Sequence, residues 1–422
     1  MRKSSNKSKV INLGCRLNFF ESEIIENILK KEKDATKIVV NTCAVTNNAV
    51  QKSLQAVKKA LKDYPDKQII VTGCASQIEK ERFKKLKKIS KIVDNKVKTE
   101  PYSYISKKQF KLEKFNFPSI DFLSTERTRA MLQIQQGCNH RCTFCIIPYG
   151  RGDAVSLPFS EICKRVEKIL SSGFNEIVLT GVDLTSYGED LKEKPKLGNI
   201  LKRLFKLFPN LSRLRLSSID PAEIDDDLLD LFKFEKRLMP YLHLSLQSGD
   251  NLILKRMKRR HNREMVLNIC NKLKFFRKEI TFGADLIVGF PTETEENFQN
   301  SIDLISECQI SNVHIFPFSP KEGTPAAKMP QIKKELINQR VLRAKNFSEN
   351  IKNQIMRKKI GTKEKFLYES HNLSYTDNYF KVMMRSQKKK IKSGSMIEAK
   401  VISVSNRSEE HTSELQSPMY LV

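Results

Sequence analysis

Cys138-Asn139-His140-Arg141-Cys142-Thr143-Phe144-Cys145 stands directly after a strand-like run, residues 129–136, and leads on into Ile147-Pro148-Tyr149-Gly150-Arg151-Gly152. The C-x3-C-x2-C spacing wraps three thiolates around one centre. A fully ligated four-iron cluster takes four cysteines, so three leave one iron open to the amine and carboxylate of a small molecule. The competing reading is a zinc site with His140 or a distant residue as fourth ligand. Placement weighs against zinc, because the loop after a barrel strand is where such folds house their chemistry.

The strand and helix alternation continues beyond this motif. Residues 176–179, 211–216, 241–246, 281–288 and 312–318 are strand-like, with helical patterns in most gaps. With the run at 129–136 they predict a partial (β/α)6 barrel of the TIM type over residues 124–355. Upstream, β-branched runs at 10–13, 38–40 and 69–71 alternate with helical patterns at 20–29 and 49–61. This predicts an N-terminal, Rossmann-like parallel-sheet domain over residues 1–110. Its strands end as Leu13-Gly14-Cys15, Val40-Asn41-Thr42-Cys43 and Val71-Thr72-Gly73-Cys74. Parallel strands finish at one sheet edge, so Cys15, Cys43 and Cys74 are expected to converge. Residues 80–127 read as a short helix, a last strand and a linker. Cys163, Cys270 and Cys308 lie in apolar helical patterns and read as core.

The 422-residue chain carries 76 Lys and Arg against 48 Asp and Glu, a net charge of +28. Such an excess predicts a polyanionic partner. Residues 331–405 hold 18 Lys and Arg and 6 Asp and Glu, a net of +12. From residue 366 the polar and apolar alternation suits a small β-barrel over 358–405. The stretch 406–422, with Glu409-Glu410-His411-Thr412-Ser413-Glu414-Leu415-Gln416, reads as a non-native tail outside the fold. No apolar run reaches the roughly 18 residues of a membrane span. A cytoplasmic protein with no membrane association is therefore expected, and in that setting nine cysteines suit metal ligation, catalysis or burial better than disulfides.

The octapeptide at 138–145 is similar to the radical S-adenosylmethionine (SAM) signature. Around it the chain resembles the methylthiotransferase branch of that superfamily from about residue 9 to 405. The marks are Gly14-Cys15-Arg16-Leu17-Asn18 with Glu21-Ser22-Glu23, Asn41-Thr42-Cys43-Ala44-Val45-Thr46, Thr72-Gly73-Cys74, the Cys138 motif through Gly152, and Gly181-Val182-Asp183. The resemblance implies a radical SAM barrel and two 4Fe-4S clusters. Cys138, Cys142 and Cys145 would hold the cluster that cleaves SAM, and Cys15, Cys43 and Cys74 a second one that carries the transferred sulfur. It also implies an electron donor, a sulfur source and no catalytic side chain, and none of the six histidines is given a catalytic role.

Expected SAM contacts come from strand ends: Gly181 and Asp183, Ser217 and Ser218, Gln247, and Gly289. The run Lys255-Arg256-Met257-Lys258-Arg259-Arg260-His261-Asn262-Arg263 is read as a phosphate-binding rim rather than a solvated helix face. Ser374-Tyr375-Thr376-Asp377-Asn378-Tyr379-Phe380-Lys381-Val382 resembles part of the RNA-binding TRAM domain. There, aromatics interleaved with Lys381, Arg385 and Lys388-Lys389-Lys390 suit stacking and phosphate neutralisation, while Phe380 suits a barrel core. Three substrates compete within the family: tRNA bearing threonylcarbamoyladenosine, tRNA bearing isopentenyladenosine, and a ribosomal-protein aspartate. The wording around Cys15 and Cys43 looks most like the threonylcarbamoyladenosine type. A non-catalytic, metal-containing RNA-binding protein is the alternative of another class, but it gives the strand-end loops no purpose. If residues 331–405 grip RNA, tRNA affinity falls steeply with salt, and deletion from Lys363 onward weakens binding and flattens the salt slope.

Overall fold

A computed structural model describes residues 7–31, 36–105, 115–122, 127–370, 373–384, 391–405 and 419–421. Four parallel strands, Lys9–Asn12, Lys37–Thr42, Gln68–Gly73 and Ile89–Ile92, pair in sequence order at the N-terminus. Alternate strand residues bury on two faces. Ile38, Val40, Ile69 and Val71 pack with Val50 and Val57 of helix Asn47–Asp63, while Val39 and Ile70 pack with Phe20 and Ile24 of helix Arg16–Lys31.

The barrel is an open arc of parallel strands. Arg129–Gln133, Glu176–Thr180 and Leu214–Leu216 form one sheet, and Ser218–Ile219, Tyr241–Gln247, Thr281–Val288 and Ile310–Pro317 form the other. The third strand, expected as one run at 211–216, starts later and breaks at Ser217, where it passes from one sheet to the next. Among the described residues the first and last strands do not pair. Leucines and isoleucines on the outer side, among them Leu242, Leu244, Leu246 and Leu286, join the helices in the main core.

After helix Lys334–Arg357, five strands close a small barrel in the order Lys363–Ser370, Leu373–Thr376, Lys381–Met384, Met419–Leu421, Met396–Val404. The tail expectation is corrected at its end, since Met419–Leu421 pairs with both neighbours and Met419 is buried. A closed sheet leaves no edge, and this short strand fills the last one. Residues 406–418, Arg385 and Lys388 to Lys390 lie outside the described residues.

The turn 376–379 of this small barrel is pressed against the amino ends of the large one. Arg215 donates to the carbonyls of Asp377 and Thr376 at 2.8 and 2.9 Å, Arg213 pairs with the Asp377 carboxylate, and Thr281 Oγ1 donates to Asn378 O at 2.5 Å. Tyr379 stacks on Tyr375 and on Tyr241, the first residue of the fourth barrel strand. Under this contact lies Glu176, fully buried, with Arg213 and Arg215 at 2.8 and 2.7 Å and Arg129 at 3.5 Å. Burial alone would raise its carboxyl, but Arg215, Arg129 and Arg213 hold it down to about 2. Its stabilising effect is therefore complete above the ordinary carboxylate range and is lost as pH falls towards that value. Glu176→Gln leaves these arginines without their shared counter-charge, and a loss of roughly 3–5 kcal/mol is expected, read as a lowered thermal midpoint at neutral pH and a shallower acid transition.

Candidate metal and cofactor site

The expected convergence of Cys15, Cys43 and Cys74 is present, and polar side chains pin it. Asn18 Nδ2 donates to Leu13 O and Thr42 O, both at 2.9 Å, so the first two strand ends share one amide. Thr42 Oγ1 donates to Thr72 O at 2.6 Å and ties the second end to the third. Gly14, at φ +105°, lies so near the second loop that a Cβ there would come 2.6 Å from Cys43 Sγ. Gly73, at φ +100°, has the same constraint against Thr42 O at 2.3 Å. Any other residue in either place would force the loops apart. Burial pushes the Cys43 thiol up to about 11, and the neighbouring Cys15 and Cys74 add to the rise.

The second set follows the first barrel strand. Burial raises Cys138 to about 12, with Asp183 and the other two thiols of the set contributing, and raises Cys145 to about 11. Cys43 and Cys74 are buried and Cys138, Cys142 and Cys145 half-buried, with Cys15 at the exposed side, and thiols crowded in this way cost most when ionised without a cation. A metal cluster removes that cost, so both sets fit the group they would hold. Arg259 supports the second set directly, with Nη1 3.5 Å from Cys142 Sγ and Nη2 2.8 Å from Asp220. His140 turns to Asp183 at 2.8 Å, and its hydrogen bonds to Asp183 and Glu223 raise its pKa to about 9. Asp183 is kept ionised against burial by His140 and Ser186.

Helix Ile147–Arg151 joins the two sets. Gly150 faces Cys74, where a Cβ would sit 3.5 Å from that of the cysteine, and its carbonyl accepts from Asn95 Nδ2 at 2.6 Å. Arg151 reaches from this helix into the N-terminal domain and makes a two-pronged pair with Glu21 at 2.9 and 3.0 Å, plus a bond to Asn18 at 2.8 Å. Lys98 meets the same carboxylate at 2.5 Å, with both side chains 1 % exposed. Burial would raise Glu21, but Arg151 and Lys98 hold it below its ordinary value.

The remaining strand-end residues divide by role. Asp183 lies beside Cys138, its Oδ2 3.7 Å from the sulfur, and Ser217 is buried in the break between the sheets. Ser218 and Gln247 are half-buried at strand ends, and Gln247 takes φ +70°, a strained setting for a residue with a Cβ. Gly181 serves the backbone, since a Cβ would sit 2.9 Å from Gln135, whose Oε1 accepts from the Val182 and Asp183 amides. Gly289 likewise makes room for Ile337 at φ +78° and donates its amide to Glu293.

The basic run 255–263 departs from its expected role. Arg256 bonds Thr292, Arg259 and Arg260 bond Asp220, and Arg263 bonds Gly249 O and Asn300 O, so its arginines brace neighbouring loops, while Lys255, Lys258 and Arg260 remain exposed. The tyrosines of the 374–382 motif stack within the protein, Tyr379 on Tyr241 and Tyr375 on Tyr379, whereas Phe380 is core as expected. Asp220 was not foreseen as a site residue, while His140 had been weighed only as a zinc ligand and Arg259 only as part of a phosphate-binding rim. Their signal was present, in a histidine inside the cysteine motif and an Asp-Pro turn at a strand end.

Two family models match the chain, the radical SAM superfamily over residues 132–305 and an uncharacterised protein family, UPF0004, over residues 7–94. The threonylcarbamoyladenosine tRNA methylthiotransferase MtaB of Rickettsia prowazekii is 42% identical over 90% of this chain and 91% of its own, and that of Bacillus subtilis 34% over 92% of each. The tRNA-2-methylthio-N(6)-dimethylallyladenosine synthase of Ehrlichia canis is 33% identical over 78% of this chain and 80% of its own. Among solved structures, the radical SAM methyltransferase TsrM of Kitasatospora setae shares the fold with a TM-score of 0.56 at 12% identity, over 76% of this chain and 77% of its own. The chain therefore belongs to the tRNA methylthiotransferases of the radical SAM superfamily.

Proposed function

We propose that this protein transfers a methylthio group to carbon 2 of threonylcarbamoyladenosine, just 3′ of the anticodon in tRNA, and that it works in the cytoplasm. The identity to MtaB over nine-tenths of the chain carries this reading, and the pairing of two three-thiol sets across helix Ile147–Arg151 supports it. In this reading the chain has three working units, residues 1–110, 124–355 and 358–405. Cys138, Cys142 and Cys145 hold one 4Fe-4S cluster with SAM at its open iron, and Cys15, Cys43 and Cys74 hold a second. When bound, these groups supply the deoxyadenosyl radical that removes an unactivated hydrogen and the sulfur that replaces it.

The chain's own residues bind, orient and keep water out. Asp183, Ser217, Ser218 and Gln247 are the proposed SAM contacts, since Gly181 and Gly289 are spent on backbone geometry. Arg259 beside Cys142 and Arg151 near Cys74 and Cys15 offset the negative charge that thiolates bring to a buried site. Tyr379 and Tyr241 seal the far end of the barrel, which protects a radical from solvent. An external electron donor and a sulfur source complete the turnover.

The substrate's free carboxylate calls for a cationic partner. Of three arginines near strand ends, Arg151 is committed to Glu21, and Arg215 to Glu176 and two carbonyls. Arg16, next to Cys15, is exposed and meets Tyr379 Oη at 3.0 Å, and its place beside that cysteine recommends it for the threonyl carboxylate. Anaerobically purified protein is expected to be brown and to hold about eight irons, falling to about four in Cys142→Ala. Colourless protein with stoichiometric zinc in the cysteine sites would overturn the enzyme reading. Reconstituted enzyme given SAM, reductant and sulfide is expected to add the mass of a methylthio group to threonylcarbamoyl tRNA. Product from isopentenyl tRNA or the ribosomal protein, and none from threonylcarbamoyl tRNA, would overturn the substrate while sparing the radical chemistry.

A further inference from the structure

Inside the barrel, away from both thiol sets, three ligand-type side chains meet on adjacent strands. Leu242, Leu244, Phe282, Ala284 and Leu286 point outward into the helical core, so the residues between them face the cavity. These include His243 and Asp285, and the strand register sets Asp285 beside His314. Asp285 Oδ1 lies 3.2 Å from His243 Nε2 and 3.3 Å from His314 Nδ1, and one ligand atom from each residue falls within 4.8 Å of the other two.

The spacing has room for an ion between them, since His243 and Asp285 meet at the long end of hydrogen-bond distance, wider than His140 and Asp183 at 2.8 Å. Ligands at about 2.0–2.1 Å around a tetrahedral ion stand roughly 3.3 Å apart, the separation found at Asp285. The outer partner is also in place, because Tyr241 Oη lies 3.1 Å from His243 Nδ1 and can accept its proton, which leaves the Nε2 lone pair free to ligate. Gly283 makes this possible, since a Cβ there would lie 2.1 Å from Tyr241 Oη and 2.5 Å from His243 Nδ1.

We propose that His243, Asp285 and His314 bind a divalent transition-metal ion of the zinc class, whose open positions take the carboxylate of the substrate's threonyl group. Two imidazoles and one carboxylate suit zinc, iron(II) or cobalt(II), and a single negative ligand leaves the ion with net positive charge. Tyr241 stacks on Tyr379, which bonds Arg16, so the ion and the exposed guanidinium serve the same cavity. The identity of the ligand rests on the substrate proposed above, whereas the metal site stands without it.

Cobalt(II) added to the cluster-loaded, chelator-washed protein tests the site. One equivalent is expected to bind with visible bands of nitrogen and oxygen ligation and without intense thiolate-to-cobalt charge transfer. Asp285→Asn and His314→Ala are expected to weaken binding at least about tenfold with the iron content unchanged. His314 is partly exposed, so its variant tests the site even if Asp285→Asn fails to fold. Free threonylcarbamoyladenosine should shift the cobalt spectrum, and isopentenyladenosine should not. Absence of cobalt binding, thiolate bands, or unchanged affinity in the variants would overturn the site. Binding with no shift by threonylcarbamoyladenosine would overturn its role toward the substrate, while failure of the substrate assignment itself is read separately from the tRNA product masses.

Discussion

The ion cluster of Glu21, Arg151 and Lys98 is the interaction on which the arrangement of the two thiol sets depends. It lies wholly inside the protein, joins the N-terminal domain to the helix that follows Cys145, and has one carboxylate shared by two cations. Removing Glu21 would strand two cations in a dry interior, a far greater penalty than losing a surface pair. Its function follows from its rigidity. The two-pronged geometry of Arg151 fixes both distance and angle, so the helix carrying Gly150 and Arg151 holds Cys74 at one place relative to Cys145. A hydrophobic contact of equal strength would have allowed sliding.

Much of this was legible in the chain because parallel strands impose a common edge. Cys15, Cys43 and Cys74 each follow a β-branched run, and no other arrangement of those runs as neighbours would separate them. Likewise the octapeptide announced its own site. What was not legible depended on who meets whom across long sequence distances. The arginines of 255–263 have the same composition whether they face phosphate or Asp220. Tyr379 has the same place in its motif whether it stacks on a base or on Tyr241, 138 residues earlier. Local pattern fixes the face of a strand, not its partner. The strand at Met419–Leu421 was missed because the segment before it lacks alternation, and three residues are too few to show any.

The large barrel keeps two chemistries apart by alternation. Outward residues are aliphatic and supply the hydrophobic core, while inward ones are polar, among them Gln133, Arg215, His243 and Asp285. Such an interior needs its charges matched. At the amino ends this is done by Glu176 with its arginines, and at the carboxyl ends by Asp220 and Asp183 with Arg259 and His140, while Gln133 Oε1, Arg213 Nη2 and Arg259 Nε are buried without a hydrogen-bond partner. The stability of the barrel and the preparation of its site for charged cofactors thus rest on the same pairs.

The turn 376–379, lodged under the large barrel, ties the order of synthesis to the closing of that barrel. A protein emerges from the ribosome with its N-terminal parts free to fold first, so both thiol sets and the entire arc of strands are available before Tyr379 is made. Until then the arc has no bottom. A chain cut short before the small barrel would leave Arg213 without Asp377 and Arg215 without the Thr376 and Asp377 carbonyls. The small barrel therefore closes the large one from the amino ends of its strands, opposite the edge that carries the second thiol set.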